Sequence, residues 1–125
     1  SEISDLFLYI SLHGMKNVRD KNGREIDIEI GTRYGELCDE KLSNLMAHYF
    51  HNKFNLTVIV NERFIGSECL AYHIYGDPRD NNYPGYSHNL QIAQIELSRT
   101  IRFDKYDIAV DAITGIVDIM RQIAH

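Results

Sequence analysis

Two side chains in this sequence stand where chemistry could start. His13 follows an apolar run, Leu6 to Leu12, and precedes Gly14. An imidazole carried by a strand end into a glycine-containing loop lies at the rim of a sheet, where open α/β folds place their chemistry. There it could ligate a metal or act as a general base. The competing reading is a histidine that hydrogen-bonds the loop it starts. Glu96 lies inside QIAQIELS, Gln91 to Ser98. At a period of two, Ile92, Gln94, Glu96 and Ser98 share one face, and Ala93, Ile95 and Leu97 the other. A carboxylate between Ile95 and Leu97 is partly desolvated, which raises its pKa and suits general-base work. A salt bridge to Arg99 or Arg102 is the competing reading.

Other polar residues have weaker claims. Asp27 and Glu29 share one strand face and could position a metal-bound water or a substrate amine; a solvated strand face is the plainer reading. Arg24, Arg63, Arg79 and Arg99 could each clamp a substrate carboxylate with a planar fork, or be surface charges. His48 and His51 have the i, i+3 spacing of a helical metal pair but fall off the apolar stripe of their helix. His73 and His88 flank a Gly/Pro/Asn-rich loop, and His125 ends the sequence. Cys38 lies on an apolar helical stripe, so packing outweighs a nucleophilic role. The sequence contains no GxGxxG, GxxxxGK, GxSxG or HExxH.

These residues need elements to hold them. Leu6 to His13 reads as a strand apolar on both faces, hence a central strand covered by helices on both sides. The loop Gly14 to Glu25 turns at Asn22-Gly23. Ile26 to Ile30 alternates as a strand. Glu36 to Lys53 carries apolar residues at helical spacing, and Leu56 to Val60 is a β-branched strand. Arg63 to Tyr75 is ambiguous, and residues 76–89 form a long loop of the kind that carries function. Leu90 to Ser98 is a strand. Asp104 to Ala124 is the final helix, with Asp104 as N-cap and Gly115 as an interruption. This order predicts a three-layer α/β/α sandwich with a mixed sheet. About four strands and two helices are few for three layers. The expectation is one α/β domain over 1–125, or the C-terminal half of a larger domain. A further N-terminal segment or self-association would complete it, because a sheet cut short exposes strand edges.

The chain has 125 residues, 44% of them hydrophobic, and a net charge of −5. That balance gives no basic field to draw it to nucleic acid or to anionic lipid. No apolar run approaches the roughly 18 residues of a membrane span. With no secretory signal visible and two cysteines without metal spacing, the expectation is free thiols in a reducing, cytoplasmic compartment.

Four segments together resemble the N-formylglutamate amidohydrolase family, which is related in fold to the zinc carboxypeptidases. They are LHG at Leu12 to Gly14, DIEIGTRYG at Asp27 to Gly35, VNERFIG at Val60 to Gly66 and QIELSRTIR at Gln94 to Arg102. The resemblance implies a catalytic zinc held by two histidines and a glutamate, with His13 as the third ligand. It implies Glu96 as the carboxylate that activates water. Arg99 and the residues of Asn61 to Gly66, Arg63 among them, would shape the side that receives a small acidic amide or peptide. If a metal and one water separate them, His13 and Glu96 should stand roughly 4 to 8 Å apart. The family's first two ligands precede the His13 strand, and the 12 residues before His13 contain no histidine. Glu2 lies too early to serve. The expectation is thus part of a zinc amidohydrolase, inactive by itself, or a non-catalytic module binding a small ligand or a protein.

Overall fold

The computed structural model describes residues 7–67, 80–81 and 90–124. In chain order the elements are β1 (Phe7–Met15), β2 (Ile28–Gly31), α1 (Glu40–Phe54), β3 (Val58–Val60), β4 (Leu90–Ser98), α2 (Arg99–Phe103), α3 (Tyr106–Thr114) and α4 (Ile116–Ala124). The strands form a four-stranded mixed sheet in the order β1-β4-β2-β3. β1 runs parallel to β4, β2 parallel to β3, and β2 antiparallel to β4.

The fold is α/β, as expected, but its centre is elsewhere. β4 and β2, not β1, are the inner strands and are almost wholly buried, whereas β1 forms an edge of the described sheet and is largely half-exposed. An apolar run alone does not distinguish a central strand from an edge strand that packs on both sides. One face of the sheet carries Ile28, Ile30, Ala93 and Ile95, with Leu8 and Ile10 packed alongside. Against it lie Leu42, Met46 and Phe50 of α1, Ile101 of α2, Ala109 and Ala112 of α3, and Ile116 and Ile119 of α4. All the described helices therefore share one core on this face.

Local chemistry sets the ends. Asp39 caps α1 by accepting from the Lys41 N–H at 2.8 Å, so the helix begins four residues later than the apolar spacing suggests. Asn55 closes it in the left-handed conformation. Asp104, expected as an N-cap, instead ends α2, and Ser98 caps that helix through Ile101 N–H. The expected final helix is two pieces, α3 and α4, with α2 a separate short helix before them. Gly115 marks the last break, where a Cβ would collide with the Tyr49 hydroxyl. Strand ends also differ: β2 begins at Ile28 and β3 at Val58. The Asn22-Gly23 turn is present, with Gly23 at φ 81. Residues 68–75 of the ambiguous stretch, and all of the 76–89 loop but 80–81, lie outside the described residues. Among the described residues no helix is long and apolar enough to cross a membrane.

Candidate active site

The parallel register of β1 and β4 pairs Ser11 with Gln94 and His13 with Glu96. Residues two apart on a strand point the same way. These four side chains therefore form a square on the sheet face opposite the helical core. Three of its edges are polar contacts. Ser11 Oγ lies 2.8 Å from His13 Nε2. His13 Nδ1 lies 3.6 Å from Glu96 Oε2. The Gln94 side-chain amide donates to the same Glu96 Oε2 at 2.7 Å. His13 and Glu96 are closer than the roughly 4 to 8 Å expected for a metal and a water between them. Neighbouring strands are about 4.8 Å apart, so side chains in direct register meet.

Glu96 is buried, and burial pushes its carboxyl above the ordinary glutamate range. His13 pulls it back most, followed by the Gln94 hydrogen bond, while neighbouring Glu29 raises it and Arg102 lowers it slightly. The side chains that meet the Glu96 carboxylate are thus His13 and Gln94, and not Arg99. Arg102 works on the backbone: it donates to the carbonyls of Leu97, Ser98 and Met15 at 2.9 to 3.3 Å, tying the ends of β4 and β1 together. Gly14 is what lets it pass, since a Cβ there would lie 2.6 Å from the guanidinium.

The pair opens into a cavity of about 530 Å³ lined by His13, Gly14, Gln94, Glu96 and the segment Arg63 to Ser67. Glu29, expected on a solvated face, is instead fully buried and makes this wall. Its Oε2 accepts from the backbone N–H groups of Glu62, Arg63 and Phe64 at 2.8, 2.6 and 3.0 Å. Asp27, also buried, accepts from Thr57 N–H at 2.8 Å. Asn61 holds the near end of the segment, accepting from Thr32 N–H and donating to Thr32 Oγ1. Gly31 lets the segment lie on the sheet, because a Cβ there would be 2.5 Å from Phe64 O.

The structure thus brings His13, Glu96 and Arg63 to one cavity. Asn61 braces its wall. Arg99 lies over the Phe103 ring at 5.2 Å, and Arg24 borders a separate hollow with His48 and His51. Both of those histidines are exposed; His51 Nδ1 lies 3.0 Å from Leu56 O and His48 Nε2 2.6 Å from Asn52. His73, His88, His125, Arg79, Glu2 and Cys69 lie outside the described residues. Ser11, Gln94, Glu29 and Arg102 were not singled out as supports from sequence. Ser11 and Gln94 had a signal, since each lies two residues before a candidate on the same strand face.

An imidazole and a carboxylate are donors that suit zinc, but catalytic zinc takes three protein ligands. Among the described residues no three His, Cys, Asp or Glu side chains come together to hold a metal. The described part of the site therefore fits zinc in kind and falls short in number.

The family model for N-formylglutamate amidohydrolase matches residues 2–103. The solved structure of N-formylglutamate amidohydrolase from Ralstonia eutropha JMP134 is similar in fold, with a TM-score of 0.66 at 18% identity. The match covers 94% of this chain and 45% of that one, so this chain spans less than half the length of its solved relative. Comparison with curated proteins gives no match. With the family model covering most of the sequence, and the fold in agreement, the chain belongs to the N-formylglutamate amidohydrolase family.

Proposed function

We propose that this chain supplies the water-activating and carboxylate-binding part of a zinc-dependent amidohydrolase. Its substrate is an amide next to a carboxylate: an N-acyl amino acid of the N-formylglutamate kind, or a short peptide. The observation that carries this is the convergence of His13, Glu96 and Arg63 on one cavity.

Glu96 is the general base. A carboxyl raised by burial holds a proton more readily than an ordinary one, which brings its pKa nearer to working pH. It takes a proton from water as the oxygen attacks the amide carbonyl carbon. It then returns that proton to the amide nitrogen as the C–N bond breaks, leaving a carboxylic acid and an amine. Arg63, exposed at the cavity and on a segment clamped by Glu29, offers a fork to the substrate carboxylate. Zinc, when bound, would polarise the carbonyl and lower the pKa of water. His13 would be one ligand, and the others would come from outside the described residues, in a segment that completes the fold. Asn61 serves by holding the Arg63 segment, while Arg99 and Arg24 border other surfaces.

The test is hydrolysis of N-formylglutamate by the native protein, followed by formate release, together with metal analysis of the same sample. Glu96→Gln should lower kcat about 10³-fold, within the usual range for losing a general base. Wild-type turnover in that variant would sink the assignment of Glu96. No turnover by the native protein, with zinc absent, would leave a module that binds a small ligand or a protein.

A further inference from the structure

We infer that Ser11 is a positioning residue: its hydroxyl holds the outer nitrogen of His13, so that Nδ1 is the nitrogen turned to Glu96 and the cavity. This deepens the proposed function and rests on it for its catalytic consequence, though not for its geometry.

His13 sits on β1, an edge strand among the described residues, and a third of its side chain is exposed. A ring in that position has room to turn over. Turning it by half a revolution about Cβ–Cγ would put carbon where each nitrogen now lies. The contacts at its two ends act against this. Nε2 lies 2.8 Å from Ser11 Oγ, and Nδ1 lies 3.6 Å from Glu96 Oε2. Only one ring orientation satisfies both. Glu96 is held in turn by Gln94, which is almost completely buried, so the far contact has a fixed partner.

The residue type matters as well as the place. A hydroxyl both donates and accepts. Ser11 can accept from Nε2–H, leaving the Nδ1 lone pair to face the cavity. It can also donate to Nε2 when Nδ1 carries the proton towards Glu96. A carbonyl in the same position would permit only the first arrangement. Ser11 therefore fixes the ring's orientation while leaving its tautomer to respond to what lies beside Nδ1. Odd-numbered positions of β1 share the face of His13, and of the two next to it Ser11 carries a hydroxyl while Met15 does not.

The experiment is ¹⁵N NMR of the histidine ring nitrogens in the native protein, for wild type, Ser11→Ala, and the isosteric pair Ser11→Thr and Ser11→Val. Thr keeps the hydroxyl and Val removes it; both suit a strand, so the pair remains informative if the alanine variant folds poorly. Turnover of N-formylglutamate is measured on the same samples. Wild type and Ser11→Thr should share His13 nitrogen shifts. Ser11→Ala and Ser11→Val should move them, and should lower kcat about tenfold with KM within about twofold, the scale seen when a supporting partner of a site histidine is lost. Unchanged His13 shifts in Ser11→Val would overturn the inference. If the shifts move but no variant, wild type included, turns over substrate, the positioning stands and the hydrolase reading fails. If turnover is present and the hydroxyl has no effect on shifts or kcat, the positioning fails alone.

Discussion

Glu96 is where function and stability oppose each other most directly. Burial raises its pKa, so the folded protein holds the Glu96 proton more tightly than the unfolded chain does. A raised carboxyl pKa contributes stability that is present below the unfolded value and lost as pH rises through the folded value. At neutral pH the ionised Glu96 is therefore a cost. Glu96→Gln should raise Tm by about 3 °C near neutrality, on the order of 1 kcal/mol, and the gain should vanish at acid pH. Thermal melts of both proteins across pH decide it; a gain that grows towards acid pH would contradict the burial argument. Cys38 illustrates the opposite situation. Burial, with Asp39 beside it, pushes its thiol up to about 12, so no reactive thiolate exists near neutrality. In a Cys69→Ser background, Cys38 should stay unlabelled by a thiol reagent until the protein is unfolded. Rapid labelling of the native state would show that the segment leading into α1 opens.

At the scale of elements, the cavity depends on how one loop lies over one strand. Glu29 gives a single buried carboxylate oxygen to three consecutive N–H groups, and Gly31 gives the loop room to settle. Glu29→Ala should cost about 3 kcal/mol, since it leaves three backbone donors without their buried acceptor. Gly31→Ala should cost about 2 kcal/mol through overpacking, because backbone, not a pliable side chain, would meet the new methyl. Both should loosen the Arg63 segment and speed amide exchange at Phe64, whose N–H is bound in the native loop. Denaturant melts give the first numbers and hydrogen exchange the second. Native-like exchange at Phe64 in Glu29→Ala would mean that something other than this carboxylate holds the loop. Arg102 does comparable work at the other wall, tying the ends of β1 and β4 that carry His13 and Glu96.

At the scale of the whole molecule, the edge of the described sheet is where association is expected. β1 borders the described sheet, and Leu12, Phe103, Tyr106 and Val110 beside it are exposed. With Leu97 and Ile113 they line an apolar hollow of about 480 Å³. Apolar hollows next to a strand edge favour association. The 125-residue chain alone should self-associate, with a sedimentation coefficient that rises with concentration. Leu12→Lys combined with Phe103→Asp should return it to monomer. A wild-type chain that sediments as a monomer at every concentration would remove this expectation.

Some of this was legible in the sequence, and the reason is locality. β4 spans Leu90–Ser98 as its alternation predicts, and its faces divide as the period of two requires. The Asn22-Gly23 turn and the desolvation of Glu96 also follow from neighbours in the chain, whereas His13 does not end its strand, because pairing with β4 carries β1 on through Gly14 to Met15. Tertiary structure decided the rest. That His13 faces Glu96, and Ser11 faces Gln94, depends on the register between strands far apart in sequence. That Glu29 is a buried acceptor depends on backbone N–H groups from another segment, and a polar residue on an alternating strand looks the same whether water or a loop covers it. That β1 is an edge depends on which strands lie beside it. Periodicity reports which way a side chain points, while only the assembled sheet reports what it points at.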